Sequence, residues 1–149
     1  MLAKIIINRK SEWLNRLRSF KVFIDDKEAG SVKNGNSEEF LVEEGVHSVH
    51  IKFGLYKSIS LTITLTKGEN KFLLTRNGMK YFWPLYILLL VGVASKIIMI
   101  KLGLYNTDWS SYVQLLLVLP SLLYFLFYLT IGRKKYLVLE EDHDNIFNS

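Results

Sequence analysis

Through residues 20 to 78 apolar and polar positions alternate in short bursts broken by turns, and from Tyr81 to Ile131 the chain becomes almost wholly apolar. Period-two alternation predicts strands. Phe20, Val22 and Ile24 alternate with Lys21, Phe23 and Asp25, and Asp25-Asp26-Lys27 is turn chemistry that returns the chain toward Ala29 to Val32, a hairpin. Lys33 to Asn36 predicts a second turn, because Asn34-Gly35 supplies positive φ. Strands follow at Glu39 to Val42 and Val46 to Phe53 around the turn Glu43-Glu44-Gly45; in the second, Val49, Ile51 and Phe53 share a face with His47, and Ser48, His50 and Lys52 look the other way. Gly54-Leu55-Tyr56 is a break. Ser58 to Thr66 then alternates, with Ile59, Leu61, Ile63 and Leu65 expected inward and Ser58, Ser60, Thr62, Thr64 and Thr66 outward. Lys67 to Asn70 turns into Lys71 to Thr75, and Arg76-Asn77-Gly78 closes the module. Ahead of all this, residues 2 to 7 read as an edge strand with Ile5 and Ile7 on one face, and Trp13-Leu14 as a short apolar patch. About six to seven short strands with turns about every ten residues predict an antiparallel β-sandwich or small barrel over 1–78. Its ~75 residues lie near the lower limit for a self-sufficient core, so packing on a membrane surface or on another copy would help.

The apolar half predicts two membrane spans, at 85–104 and 112–131, each of 20 residues by subtraction. At ~1.5 Å per residue such a helix crosses the ~30 Å hydrocarbon layer. The fold class is therefore an α+β membrane protein: a β module at 1–78, an antiparallel helical hairpin at 79–135 and a polar acidic tail at 136–149. Tyr81, Phe82 and Trp83 form an aromatic belt, with Pro84 near the first turn of the helix, where a missing N–H costs little; Tyr105 and Trp109 do the same at the short polar loop. Arg76 and Lys80 precede the first span and Arg133, Lys134 and Lys135 follow the second, against Lys101 and an offsetting Asp108 near the loop. The positive-inside bias thus places both termini in the cytoplasm, of a bacterial inner (plasma) membrane, with Arg76, Lys80, Trp83, Trp109, Arg133, Lys134 and Lys135 at the membrane surface. The apolar run among residues 1–10 is too short for a signal-peptide core, which agrees.

Charge refines this picture. Residues 1–80 carry 14 Lys+Arg and 9 Asp+Glu, and 14 − 9 = +5 equals the net charge of the chain. The excess is spread along the strands rather than gathered in a run, which suits anionic headgroups better than nucleic acid. Cysteine is absent, which removes disulfides, thiolate metal sites and cysteine nucleophiles.

Within the spans, Lys96 and Gln114 are the intramembrane polar residues and Pro120 the helix interrupter. Lys96 reads either as a polar partner in a bundle or ion path, or as a cation whose stem snorkels to the far interface; the absence of an intramembrane acid favours snorkelling. Pro120 marks either a moving kink or local packing geometry. Gly92, Ala94 and Ser95 allow close helix approach and, with Gln114, suit either an oligomer contact or intrachain packing.

Elsewhere the chemistry is thin. His47 and His50, three apart on a strand, point to opposite faces and do not chelate jointly. Asp142-His143-Asp144 has ligand-type residues without a scaffold, and Glu38, Glu39, Glu43 and Glu44 are edge and turn carboxylates without a cleft. No phosphate loop, nucleophile elbow or HExxH occurs. The expectation is a non-enzyme with no catalytic, cofactor or metal residues.

The runs Val22 to Gly30, Val42-Glu-Glu-Gly45-Val-His47-Ser-Val49-His-Ile51 and Gly54-Leu-Tyr56 resemble PEGA-type domains, small surface β-sandwiches in which a strand ending in "IDG" leads to a Gly and an "xxGxHxVxV" strand leads to a Gly-Tyr turn. The resemblance covers residues 20 to 75; Asp26 stands where such domains usually have Gly, and the usual Thr-Pro pair is missing. It implies a non-catalytic module attached to a membrane or surface protein. The functional expectation is a binding or scaffold module acting on a protein partner, a second copy or the lipid bilayer, with candidate partner contacts at Asp25, Asp26, Lys33, Leu55 and Tyr56. Two alternatives stand beside it: an accessory or transport subunit using Lys96, Gln114 and Pro120, and an envelope-facing scaffold of inverted topology.

Overall fold

A computed structural model describes residues 2–104 and 108–142, Asp108 by its backbone alone. The loop residues Tyr105 to Thr107 and the tail positions His143 and Asp144 lie outside the described residues. The chain forms two compact units: residues 1–78 with 133–149, and residues 79–132.

The first unit contains two sheets. The strands are β1 (Ala3–Arg9), β2 (Phe20–Ile24), β3 (Lys27–Val32), β4 (Ser37–Val42), β5 (Gly45–Phe53), β6 (Tyr56–Lys57), β7 (Leu61–Leu65), β8 (Asn70–Asn77) and β9 (Leu137–Glu141). One sheet runs β4-β1-β8-β9; the other runs β3-β2-β5, with both β6 and β7 on the far edge of β5. The expected β2–β3 hairpin is present, its turn made by Asp25 and Asp26, both at positive φ. Apolar rows from both sheets are buried: Ala3, Ile5, Ile7, Leu73 and Leu137 from one, and Phe20, Val22, Val49, Ile51, Ile63 and Leu65 from the other. Each row occupies alternate positions of its strand, so the pleat puts one face into the core.

Four sequence expectations are corrected. Strand β1 is not an edge: β4 pairs with it on one side, antiparallel, and β8 on the other, parallel, with Ile5 opposite Lys71 and Ile7 opposite Leu73. The module is therefore mixed rather than antiparallel throughout. Residues 137–141 are not tail but strand β9, antiparallel to β8, with Thr75 opposite Leu139. Tyr136 and Leu137 are buried there, and Arg76 and Lys71 pair with Glu140 and Glu141. Finally, the alternation of Ser58 to Thr66 changes phase before β7. Ser58 is buried, its Oγ accepting from Ile51 N at 2.9 Å while its own N donates to Ile51 O, and Ile59 turns outward.

The second unit is a pair of helices, α1 (Phe82–Lys101) and α2 (Asp108–Leu129), which begin three and four residues earlier than the hydropathy pattern suggests. Both are long and apolar enough to cross a membrane, and only 6% of each apolar window is buried. The core helix of a soluble domain would hide such a surface. They run antiparallel: Ser121 Oγ donates to Leu85 O at 2.9 Å, Gln114 Nε2 donates to Gly92 O at 2.7 Å, and Tyr81 N donates to Tyr124 OH at 3.2 Å.

Candidate functional site

Three places gather the polar residues singled out by the sequence. The first is in the helical pair. Gly92 is the point of closest approach, where an added Cβ would lie 2.7 Å from Val118 Cγ2 and 3.3 Å from Leu117 Cβ. Its carbonyl accepts from both Gln114 Nε2 and Ser95 Oγ. Gly92 thus serves contact within the chain, while Ala94 is exposed, and Gln114 ties one helix to the other instead of standing free. One groove of about 490 Å³ brings Lys96, Ser110 and Gln114 together with Val93, Val118 and Leu122. Pro120 does not line that groove; it lies in an adjoining apolar patch with Tyr112 and Leu116 that shares Leu115 and Leu119 with it, and α2 runs unbroken through Pro120.

The second is the β2–β3 turn. Asp25 Oδ1 accepts from Ser48 N at 2.9 Å and Oδ2 lies 2.7 Å from His47 Nδ1, while His47 Nε2 lies 2.9 Å from Glu43 O. The bond from Ser48 N, then that from His47, hold the Asp25 carboxyl below its ordinary range; the Asp25 bond, then the Glu43 carbonyl, raise the imidazole. Both ring nitrogens face acceptors, so the imidazolium satisfies both. Asp25 therefore ties the β2–β3 turn to strand β5, a role that alternation alone does not reveal. Asp26 is exposed, with its carboxylate 3.9 Å from His50 Nδ1 and 4.0 Å from Lys57 Nζ. His50 is buried and stacked on Phe23 with ring centroids 5.0 Å apart; burial, helped by Lys57 and Lys52, pushes its imidazole down and keeps it neutral. Lys33 is exposed in the next turn. Among the described residues, no group of three or more His, Cys, Asp or Glu could hold a metal ion.

The third lies where the chain leaves and re-enters the β unit. Gly78 N donates to Tyr136 O at 2.8 Å, and the Tyr136 ring stacks on Tyr56 with centroids 4.0 Å apart. Tyr136 OH accepts from Asn15 Nδ2 at 2.8 Å, and Glu12 carboxylate accepts from Asn77 N at 2.9 Å. Tyr56 is thus committed within the module, whereas its neighbour Leu55 is 83% exposed at the hairpin tip. Arg76 is likewise turned to Glu140 on β9, a partner 64 residues away that the sequence does not announce. Lys80, Arg133, Lys134 and Lys135 are exposed, as is Trp109; Trp83 is about half exposed.

The inner row of β1 ends in a cation, Arg9. It is 3% exposed, with its guanidinium carbon 3.5 Å from the centre of the Phe20 ring. Its Nη1 donates to Arg18 O and Val32 O, and its Nη2 to Asn15 O at 3.0 Å. It therefore clamps the 10–18 loop from beneath.

The chain matches no family model and no curated protein. Its chemistry is carried by its own geometry.

Proposed function

We propose that this chain is a membrane-anchored, PEGA-like β-sandwich module that acts by binding, without catalysis, with the β unit and both termini on the cytoplasmic face. The pairing of β8 with β9 is the observation that carries the topology. These strands flank the helical pair in sequence and are hydrogen-bonded neighbours in one sheet. Residues 77 and 137 must then lie on one side of any bilayer, which requires an even number of crossings and suits two spans. The exposed apolar surface of α1 and α2 supports insertion. The cations Lys80, Arg133, Lys134 and Lys135 beside the helix ends support the inward orientation. The candidate partner surface is narrower than the sequence suggests: Asp25 and Tyr56 are engaged internally, leaving Asp26, Lys33 and Leu55.

Cysteine scanning tests this directly, since the chain has no cysteine. Ser31→Cys in exposed β3 should resist an impermeant maleimide in intact cells and react after permeabilisation, while Ser111→Cys should react from outside. Reaction of Ser31→Cys in intact cells would overturn the orientation. Co-purification in mild detergent then identifies the bound chain.

The groove that unites Lys96, Ser110 and Gln114 favours a second reading, an accessory or transport subunit. In that reading Lys96→Ala abolishes activity while leaving expression intact, and an unaffected variant removes it. The engagement of Gln114 with Gly92 O weighs toward the anchor.

A further inference from the structure

The 10–18 loop joins β1 to β2 through two successive turns, in which Arg16 N donates to Trp13 O and Arg18 N to Asn15 O. Arg9 and the Asn15–Tyr136 bond fix its backbone, so its shape is built into the core. Yet it turns large apolar side chains outward: Trp13 is 71% and Leu17 96% exposed, with Arg16 and Arg18 exposed between and beside them. A shallow concavity of about 510 Å³ is lined by Trp13, Asn15 and Arg16 to Arg18. Glu12 is the only acid between residues 10 and 18, and its carboxylate is spent on Asn77 N, so the outward charge of the loop is positive. Through Asn15, Tyr136 and Tyr56 the loop belongs to the end of the β unit where the chain departs at Gly78 and returns at Arg133, and Leu55 projects from the neighbouring hairpin tip.

We propose that residues 13–18, with Leu55, form a docking surface for an anionic lipid bilayer: Trp13, Leu17 and Leu55 enter the headgroup layer and Arg16 and Arg18 meet the phosphates. The proposal rests on the membrane-anchor reading. A tryptophan with leucine and arginine and no outward acid matches an interface that is apolar at one depth and negatively charged at the next. Attachment of the chain at this same end makes the contact intramolecular with respect to the membrane, so a modest intrinsic affinity suffices.

The test uses the full chain carrying Trp83→Phe and Trp109→Phe, which leaves Trp13 as the sole tryptophan of three. It is reconstituted in phosphatidylcholine vesicles with or without phosphatidylglycerol, and Trp13 emission is read against brominated lipid. Trp13 should shift to the blue and be quenched in the phosphatidylglycerol vesicles, and high salt should reverse this. Arg16→Gln and Arg18→Gln, both at exposed positions, should each lower the docked-to-undocked ratio about fivefold while circular dichroism stays unchanged. Absence of quenching in protein that resists carbonate extraction would overturn docking while leaving the anchor intact. Loss of the protein on carbonate extraction would overturn the anchor itself. Equal quenching with and without phosphatidylglycerol would overturn the anionic assignment, and a blue shift that follows protein concentration instead of lipid would replace the bilayer by a second copy.

Discussion

Gly78 N donates to Tyr136 O at 2.8 Å, so the residue at which the chain leaves the β unit is bonded to the residue just ahead of the returning strand β9. The C-terminal strand is consequently part of the fold. A stop after Lys135 removes three buried side chains, Tyr136, Leu137 and Asp142, together with the Arg76–Glu140 and Lys71–Glu141 pairs. Burial of each large side chain stabilises by about 1.5–3 kcal/mol, a large share of the ~5–15 kcal/mol of a typical domain. That truncation should leave residues 1–78 protease-sensitive, whereas a stop after Asp142 retains all of these contacts. Equal protease resistance of the two truncations would show β9 to be dispensable.

His47 and Asp25 make the stability of the β unit depend on pH at both ends. The Asp25 carboxyl is held below its ordinary value of 3.8, so its contribution is present above that pH and lost as pH falls through the depressed value. His47 is raised above 6.5, so its contribution is complete below that and fades as pH rises through the raised value. From this pair alone, denaturation midpoints should be highest between about pH 4 and 6.5 and decline on the alkaline side. The depressed imidazole of His50 works against the acid half of that window, because the unfolded ring protonates below 6.5 while the buried one resists. In Asp25→Asn the alkaline decline should flatten; an unchanged slope would show that the pair contributes nothing. His50, already neutral, adds no alkaline slope.

Gly92 controls how closely the helices approach. Gly92→Val places atoms inside the space of Val118, and overpacking of this kind costs about 1–3 kcal/mol. Thermal unfolding in detergent should fall accordingly, and adding Val118→Ala should recover much of the loss because it empties the opposing volume. Failure of the second change to rescue would mean that Gly92 matters for its backbone alone.

Arg9→Met keeps most of the buried volume but takes the guanidinium bonds away from the carbonyls of Asn15, Arg18 and Val32, of which Asn15 O keeps the bond from Arg18 N. Unsatisfied groups of this kind cost about 1–3 kcal/mol each, less where water reaches them. Chemical denaturation should show a loss of at least ~2 kcal/mol, and limited trypsin digestion should cut faster at Arg16 and Arg18 as the loop loosens. Unchanged cleavage would locate the clamp elsewhere.

Local pattern made the helices, the Asp25-Asp26 hairpin and the strands β2, β5 and β7 legible, because each announces itself within about ten residues. What escaped depends on distant partners. The apolar run Leu137-Val138-Leu139 is three residues long between a basic cluster and two acids, and only its pairing with Arg76 and Thr75 makes it a strand. Alternation in β1 shows which face is buried but not how many neighbours flank it, so a central strand reads as an edge. Ser58 reads as outward because a hydroxyl is polar; it turns inward because Ile51 N needs an acceptor where β6 has ended and β7 has not begun. Among the site residues, Asp25 and Tyr56 were visible as turn chemistry, but their engagement with His47 and Tyr136 was not. The buried role of Arg9 and the exposure of Leu17 carried no local signal.

Placing the helical pair between two adjacent strands of one sheet fixes an order of assembly. After Asn77 is made, another 137 − 77 = 60 residues must follow before Leu137 opposes it. At about 5–20 residues per second that is about 3–12 s, during which both hydrophobic segments emerge and the outer edge of β8 stands open. The sheet is finished only by a chain that has already passed through both helices and turned back. Completion of the sheet thus depends on the helical pair having folded back on itself: a chain that does not bring Leu137 to Asn77 leaves β8 without its last neighbour.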